Sequence, residues 1–200
     1  MENKLTINPE ATLGPFYPET YVPADANDLT RVRYGQPRAT GQLAYIEGMV
    51  RDSEGVGRPR ILIEVWQANA AGRYRHPKDQ SDLALDPNFD GWGRFLTRDD
   101  GSYDFRTVIP GAHAAADGTV QAPHLKVSLF GTGFDRLQTA IFFPGTEELG
   151  DDPIMKRIGD RSALLVAKEV ETLTNAPESV RCFRFDFTVR GENETPFFLD

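Results

Sequence analysis

Residues 121–126 read Gln-Ala-Pro-His-Leu-Lys. In a β-strand alternate side chains share a face, so His124 and Lys126 point the same way. A His-x-His pair so placed is an ordinary way to hold one metal ion. Here the second position is lysine, an ammonium at pH 7 with no lone pair to give. Deprotonating it against an ordinary pKa of about 10.4 costs roughly 4.6 kcal/mol before any metal bond forms. The chain has three histidines, His76, His113 and His124, and one cysteine, Cys182. A zinc site of ordinary type needs two or three of these with carboxylates. There is no His-Glu-x-x-His pair, no glycine-rich phosphate cradle and no Gly-x-Ser-x-Gly elbow. His124, in an apolar run, reads either as a hydrogen-bonded core histidine or as a ligand. His76 and Asp79 read as a hydrogen-bonded loop pair.

Short strands must position these groups. The clearest is Arg181 to Arg190: Phe183, Phe185, Phe187 and Val189 fall on one face, and Arg184, Asp186, Thr188 and Arg190 on the other. That alternation predicts a half-buried strand with a wet outer side. Residues 45–51, 60–67, 102–108, 124–130 and 137–143 are further strand candidates. Residues 52–59, with two glycines and a proline, suit a hairpin loop. One helix is signalled, by Asp152 as cap and Pro153 in the first turn. Residues 1–44 are rich in turn signals and lack periodicity, so they read as an extended arm. The expected fold is all-β, with the arm at 1–44, a β-sandwich at 45–200 and little helix.

Composition narrows the partners. A chain of 200 residues with a net charge of −8 has room for one core and repels phosphate backbones, so nucleic acid is not an expected partner. No apolar run is long enough to span a membrane. The opening Met-Glu-Asn-Lys-Leu-Thr lacks a basic region followed by an apolar one, and a single cysteine allows no internal disulfide, so a cytoplasmic location is expected.

Longer strings carry a resemblance. Residues 63–76 (Ile-Glu-Val-Trp-Gln-Ala-Asn-Ala-Ala-Gly-Arg-Tyr-Arg-His), 85–94 (Leu-Asp-Pro-Asn-Phe-Asp-Gly-Trp-Gly-Arg), 100–111 and 122–124, with 12–18 at the front and 191–198 at the end, resemble the intradiol ring-cleavage dioxygenases. The resemblance implies a β-sandwich around a non-haem Fe(III) held by two tyrosinates, two histidines and a hydroxide. It also implies an aromatic diol substrate, split by O2 between its hydroxylated carbons. Hard phenolate oxygens suit ferric iron.

Carried over residue by residue, the resemblance keeps only half of that site. Tyr74 matches the first tyrosine ligand and His124 the first histidine. The second tyrosine position falls at His113, the second histidine at Lys126, and an upstream arginine at Gln121. This resembles the iron-free alpha type of chain in two-chain members of the family. It implies a hetero-oligomer with an iron-bearing beta chain, Fe(III) in that partner, and no catalytic residue or metal in this chain. Thr12, Gly14, Pro15, Phe16 and Tyr17 of the arm, with Thr132 at the edge, would then wall the partner's substrate pocket. The competing reading is a self-sufficient dioxygenase, or another metalloenzyme, with a divergent site of Tyr74, His113 and His124.

Overall fold

The structure is a computed structural model that describes residues 22–115 and 117–198. Its strands are β1 (Leu43–Arg51), β2 (Leu62–Trp66), β3 (Trp92–Leu96), β4 (Ser102–Val108), β5 (His113–Ala114), β6 (Val120–Gln121), β7 (His124–Gly131), β8 (Phe134–Phe142), β9 (Lys168–Val170), β10 (Arg181–Arg184) and β11 (Phe187–Thr188). In one sheet β1 is central, antiparallel to β4 on one side and parallel to β10 and β11 on the other, with β9 beside β10. The second sheet is antiparallel, in the order β3-β2-β7-β8. β5 and β6 form a short ribbon of their own.

The core lies between the sheets. Ile46, Val50, Phe105, Phe183 and Phe187 come from the first, and Ile63, Val65, Leu125, Val127, Leu129 and Ile141 from the second. β7 shows the rule: Leu125, Val127 and Leu129 are buried inward, while Lys126 and Ser128 alternate outward. Residues 22–42 run mostly in turns before β1, and Leu29 and Ala39 join the core.

The predicted alternation at 181–190 places Phe183, Phe185 and Phe187 in the core, and β4 has the expected bounds. The strand from 181 is broken, however, at residues 185–186. There the Asp186 side chain accepts the Met49 amide at 2.8 Å, and Phe185 O accepts the Tyr103 hydroxyl at 2.5 Å. Gly48 is required opposite the break, since a Cβ would stand 1.7 Å from Phe185 O. The hairpin loop expected at 52–59 forms locally, with Arg51 and Gly57 in an antiparallel bridge, but it does not pair β1 with β2. β1 and β2 lie in different sheets, so this loop crosses the sandwich, closing on itself by Asp52 N–H to Val56 O at 3.0 Å. A longer hairpin joins β7 to β8 through Thr132 and Gly133, whose φ of +96° suits glycine.

The one α-helix among the described residues, α1 (Pro153–Ile158), starts as its sequence signals: Asp152 accepts the Ile154 and Met155 amides at 2.7 and 3.2 Å, with Pro153 in the first turn. Among the described residues no helix is long and apolar enough to cross a membrane.

Candidate functional site

Tyr74 sits on the loop that leaves β2. Asn69 shapes that loop, its side-chain oxygen accepting the Ala71 and Arg73 amides at 3.0 Å each. Its backbone carbonyl accepts the Gly111 amide at 2.9 Å, drawing in the segment that carries His113. Gly72 makes the close approach possible: its φ is +88°, and a Cβ there would stand 2.1 Å from Ala112 O. Gly72 O then accepts a hydrogen bond from His113 Nδ1 at 2.9 Å. The result is an aromatic cluster, with the Tyr74 ring 4.9 Å from both Trp66 and His113, and His76 5.7 Å from Trp66.

Tyr74 is 5% exposed, and its hydroxyl has no hydrogen-bond partner among the described residues. Burial pushes its pKa well above the usual phenol range, and the Asp79 carboxylate adds to this. The side chain is therefore a neutral phenol. Asp79 accepts the Tyr74 and Ser81 amides at 2.7 and 3.0 Å. The expected His76–Asp79 loop pair is present as a backbone hydrogen bond, Asp79 N–H to His76 O at 3.0 Å.

His124 opens β7 and is 3% exposed. Its Nδ1 lies 2.7 Å from Ala122 O. A carbonyl only accepts, so Nδ1 carries the proton and Nε2 keeps its lone pair. That Nε2 is buried without a partner. Burial pushes the His124 pKa down; the fields of Lys126 and His113 act the same way, while the Ala122 carbonyl and Asp152 oppose them. The fully buried Asp152 holds the strand entrance in place, its second carboxylate oxygen accepting the Ala122 amide at 2.8 Å.

Lys126 is outward and largely exposed, yet its ammonium is drawn back over the aromatic cluster. Nζ lies 5.2 Å from the Tyr74 ring centre and 5.5 Å from that of Trp66, a cation–π arrangement. Desolvation holds its pKa below the ordinary lysine value. Gln121 faces His113 across the β5–β6 ribbon. The structure therefore brings Tyr74, His113, Gln121, His124 and Lys126 to one end of the second sheet. Thr132 is elsewhere, on the exposed hairpin beyond the far end of β7, roughly 23 Å along the strand at the rise of an extended chain. Thr12, Gly14, Pro15, Phe16 and Tyr17 lie outside the described residues.

The residues at this pocket do not fit a ferric ion. A hard trivalent cation calls for anionic oxygen ligands. Here the position of the second histidine holds a lysine, whose ammonium stands 5.2 Å over the Tyr74 ring. Among the described residues no group of three or more His, Cys, Asp or Glu side chains is placed to hold a metal. Sequence reasoning missed two participants, Trp66 and Asp152. The first sits opposite Lys126 in the β2–β7 register, and the second was read only as a helix cap.

Comparison with known proteins places this geometry. Residues 13–191 match a protein-family profile described as dioxygenase. The chain is 38% identical over 175 residues to a protocatechuate 3,4-dioxygenase beta chain from Burkholderia cepacia, covering 85% of this chain and 74% of that one. It is 32% identical over a 204-residue alignment to a protocatechuate 3,4-dioxygenase alpha chain from Pseudomonas putida, covering 97% of this chain and 96% of that one. Among solved structures, the dioxygenase domain of a dioxygenase carbohydrate-binding protein fusion from Streptomyces sp. SirexAA-E superposes with a TM-score of 0.60 at 22% identity, over 92% of this chain and 98% of that one. At that identity the likeness speaks for the fold alone.

Proposed function

The chain belongs to the intradiol dioxygenase family of oxidoreductases and is alpha-chain-like, and from that premise we propose that it is the iron-free alpha subunit of a protocatechuate 3,4-dioxygenase. In this reading it pairs with an iron-bearing beta chain. The pair converts protocatechuate and O2 to 3-carboxy-cis,cis-muconate, a step of aromatic degradation in the beta-ketoadipate pathway, in the cytoplasm. Both oxygen atoms end in the product as the ring bond between the hydroxylated carbons is cut. The ferric ion belongs to the partner. This chain supplies a matching sandwich and walls of the partner's pocket: Thr12, Gly14, Pro15, Phe16 and Tyr17 from the arm, and Thr132 at the rim.

One observation carries the proposal: the Lys126 ammonium stands 5.2 Å over the ring of Tyr74, where the resemblance puts a second histidine ligand. The near end-to-end match to alpha chains supports it. A second reading, a self-sufficient enzyme using Tyr74, His113 and His124, draws on two facts. The Burkholderia beta chain is the more identical of the two relatives compared, and the bare His124 Nε2 is free to bind. Metal analysis and colour decide between them. Tyrosinate bound to Fe(III) absorbs visible light, so the chain purified alone is expected to be colourless, iron-free and inactive, and the co-purified pair red-brown. Stoichiometric iron with ring cleavage in the lone chain would overturn the proposal.

A further inference from the structure

The outer face of the first sheet carries a cavity of 380 Å³, separated by the core from the sheet that holds Lys126. Tyr45, Glu47 and Met49 of β1 line it, because Ile46 and Val50 face the core. β4 adds Ser102 and Asp104, and Arg184 and Asp186 close the other side. The loop from β9 to β10, residues 171–180, folds back over this face. Its Leu173, Ala176 and Val180 pack on Tyr45 and Cys182, and its Asn175 forms a wall of the cavity.

Two features set this cavity apart. Glu47 and Asp104 stand directly opposite each other in the β1–β4 register. Glu47 O accepts the Phe185 amide at 3.0 Å, on the β10 side, so its backbone turns away from β4. That makes the two acids a non-hydrogen-bonded pair, the kind that brings cross-strand side chains closest, and like charges so placed repel. Each is answered by a guanidinium: Arg184 Nε lies 3.0 Å from Glu47 Oε1, and Arg98 bonds Asp104. With Arg51 and Asp186, 3.5 Å apart, acids and arginines balance in the lining. The second feature is a bare group. The two buried side chains of the lining are tyrosines. Tyr103 gives its hydroxyl to Phe185 O, but the Tyr45 hydroxyl, on a residue 1% exposed, has no partner among the described residues. The side chain of Asn175 likewise makes no hydrogen bond to a described residue.

We propose that this cavity is a binding site for a free α-amino acid. A single charge of either sign gains on one set of groups here and loses on the other. Among the described residues no group of three acids is placed to hold a metal ion. The Glu47–Arg184 pair sets opposite charges 3.0 Å apart. An α-amino acid carries its ammonium and carboxylate on one carbon, at comparable spacing, and so lies antiparallel across that pair. Its ammonium takes Glu47 and Asp104 and relieves their repulsion. Its carboxylate takes Arg184 and accepts from the Tyr45 hydroxyl and the Asn175 amide, two donors otherwise unused. Met49, next along the same face, gives an apolar surface to the ligand's side chain. The site stands on the sheet opposite Tyr74 and Lys126, and its test involves neither iron nor turnover.

The full chain is titrated with L-leucine at neutral pH by calorimetry, with ligand-observed NMR as a second readout. L-Leucinamide keeps the ammonium alone and 4-methylpentanoate the carboxylate alone. 6-Aminohexanoate keeps both charges, too far apart to lie across one ion pair. Leucine is expected to bind saturably, and each control about tenfold more weakly. Glu47→Gln, whose fold is checked by circular dichroism, should weaken leucine about tenfold without weakening 4-methylpentanoate. Arg184→Gln, an exposed substitution, should weaken leucine about tenfold without weakening leucinamide. Tyr45→Phe, which removes only the hydroxyl, should weaken leucine several-fold. Absence of saturable binding, a control that matches leucine, or unchanged leucine affinity in Glu47→Gln or Arg184→Gln overturns the proposal.

Discussion

The two ends of β7 make opposite demands on the chain. At the His124 end nearly every group is fixed by another: Ala122 O holds Nδ1, Asp152 holds the Ala122 amide, Asn69 and Gly72 hold the loop that carries Tyr74, and Lys126 lies over the rings. At the Thr132 end there is an exposed two-residue turn whose conformation needs only Gly133. The family's chemistry would lead one to look for function at the first end. Yet at the ordered end the Tyr74 hydroxyl and His124 Nε2 are buried without a partner among the described residues, while the other end is exposed.

The largest effect that could break this contrast is a rebuilt ligand set. Lys126→His combined with His113→Tyr removes the ammonium and restores the donor types that the resemblance calls for. The expected outcome is a change from no colour to a visible tyrosinate–iron band on adding ferric iron, read by absorption and metal analysis. A colourless variant that still folds would show that the scaffold, and not only its ligands, has departed from metal binding.

Asp152→Ala tests how strongly the ordered end is held. It removes a helix cap and leaves the buried Ala122 amide without its acceptor, so a loss of about 2–4 kcal/mol is expected in urea unfolding. A loss below about 1 kcal/mol would mean that Asp152 serves the helix alone.

A pH effect comes next. The pKa of His124 is pushed down by burial, so below the ordinary value of 6.5 protons bind the unfolded chain in preference to the folded one. Its contribution to stability is full above about pH 6.5 and is lost as pH falls through the folded-state value, at no more than about 1.4 kcal/mol per pH unit. His124→Asn should flatten that slope in unfolding curves measured between about pH 7.5 and 5. An unchanged slope would place the titrating group elsewhere. The smallest effect belongs to the other end: Thr132→Ala should alter stability by less than about 0.5 kcal/mol. In the proposed two-chain enzyme it should shift KM more than unfolding, and a stability loss above about 1 kcal/mol would refute the view of that turn as unconstrained.

The sequence made the inward-facing runs legible, because period-2 alternation in Phe183–Phe185–Phe187 and in β7 follows directly from which face is buried. The Asp152 cap was legible for a similar reason, being local chemistry over three residues. What escaped was set by distant neighbours. β3 is short and contains Gly93, whose position makes sense only once Leu29 is seen to pack there, 2.5 Å from where a Cβ would be. The loop at 52–59 has the composition of a hairpin, but β1 finds its partners in β4, β10 and β11, which no local pattern announces. At the candidate site the residue types at 74, 113, 124 and 126 were readable. The position of the Lys126 ammonium over two rings was not, since it depends on the β2–β7 register and on a loop closed by Gly72.

The parallel pairing of β1 with β10 also bears on how the chain is made. The bond from Met49 to Asp186 spans 137 residues. At a synthesis rate of about 5–20 residues per second, β1 waits roughly 7–27 s on the ribosome before that partner is made. Through that interval one edge of the central strand is open, and with it the face that Phe183 and Phe187 will cover. Long-range pairing of this kind is slow and prone to association while incomplete. A second chain of the same fold, made nearby and in the same state, is thus a hazard as well as the proposed partner, and on that proposal the order of synthesis of the two chains bears on the yield of the pair.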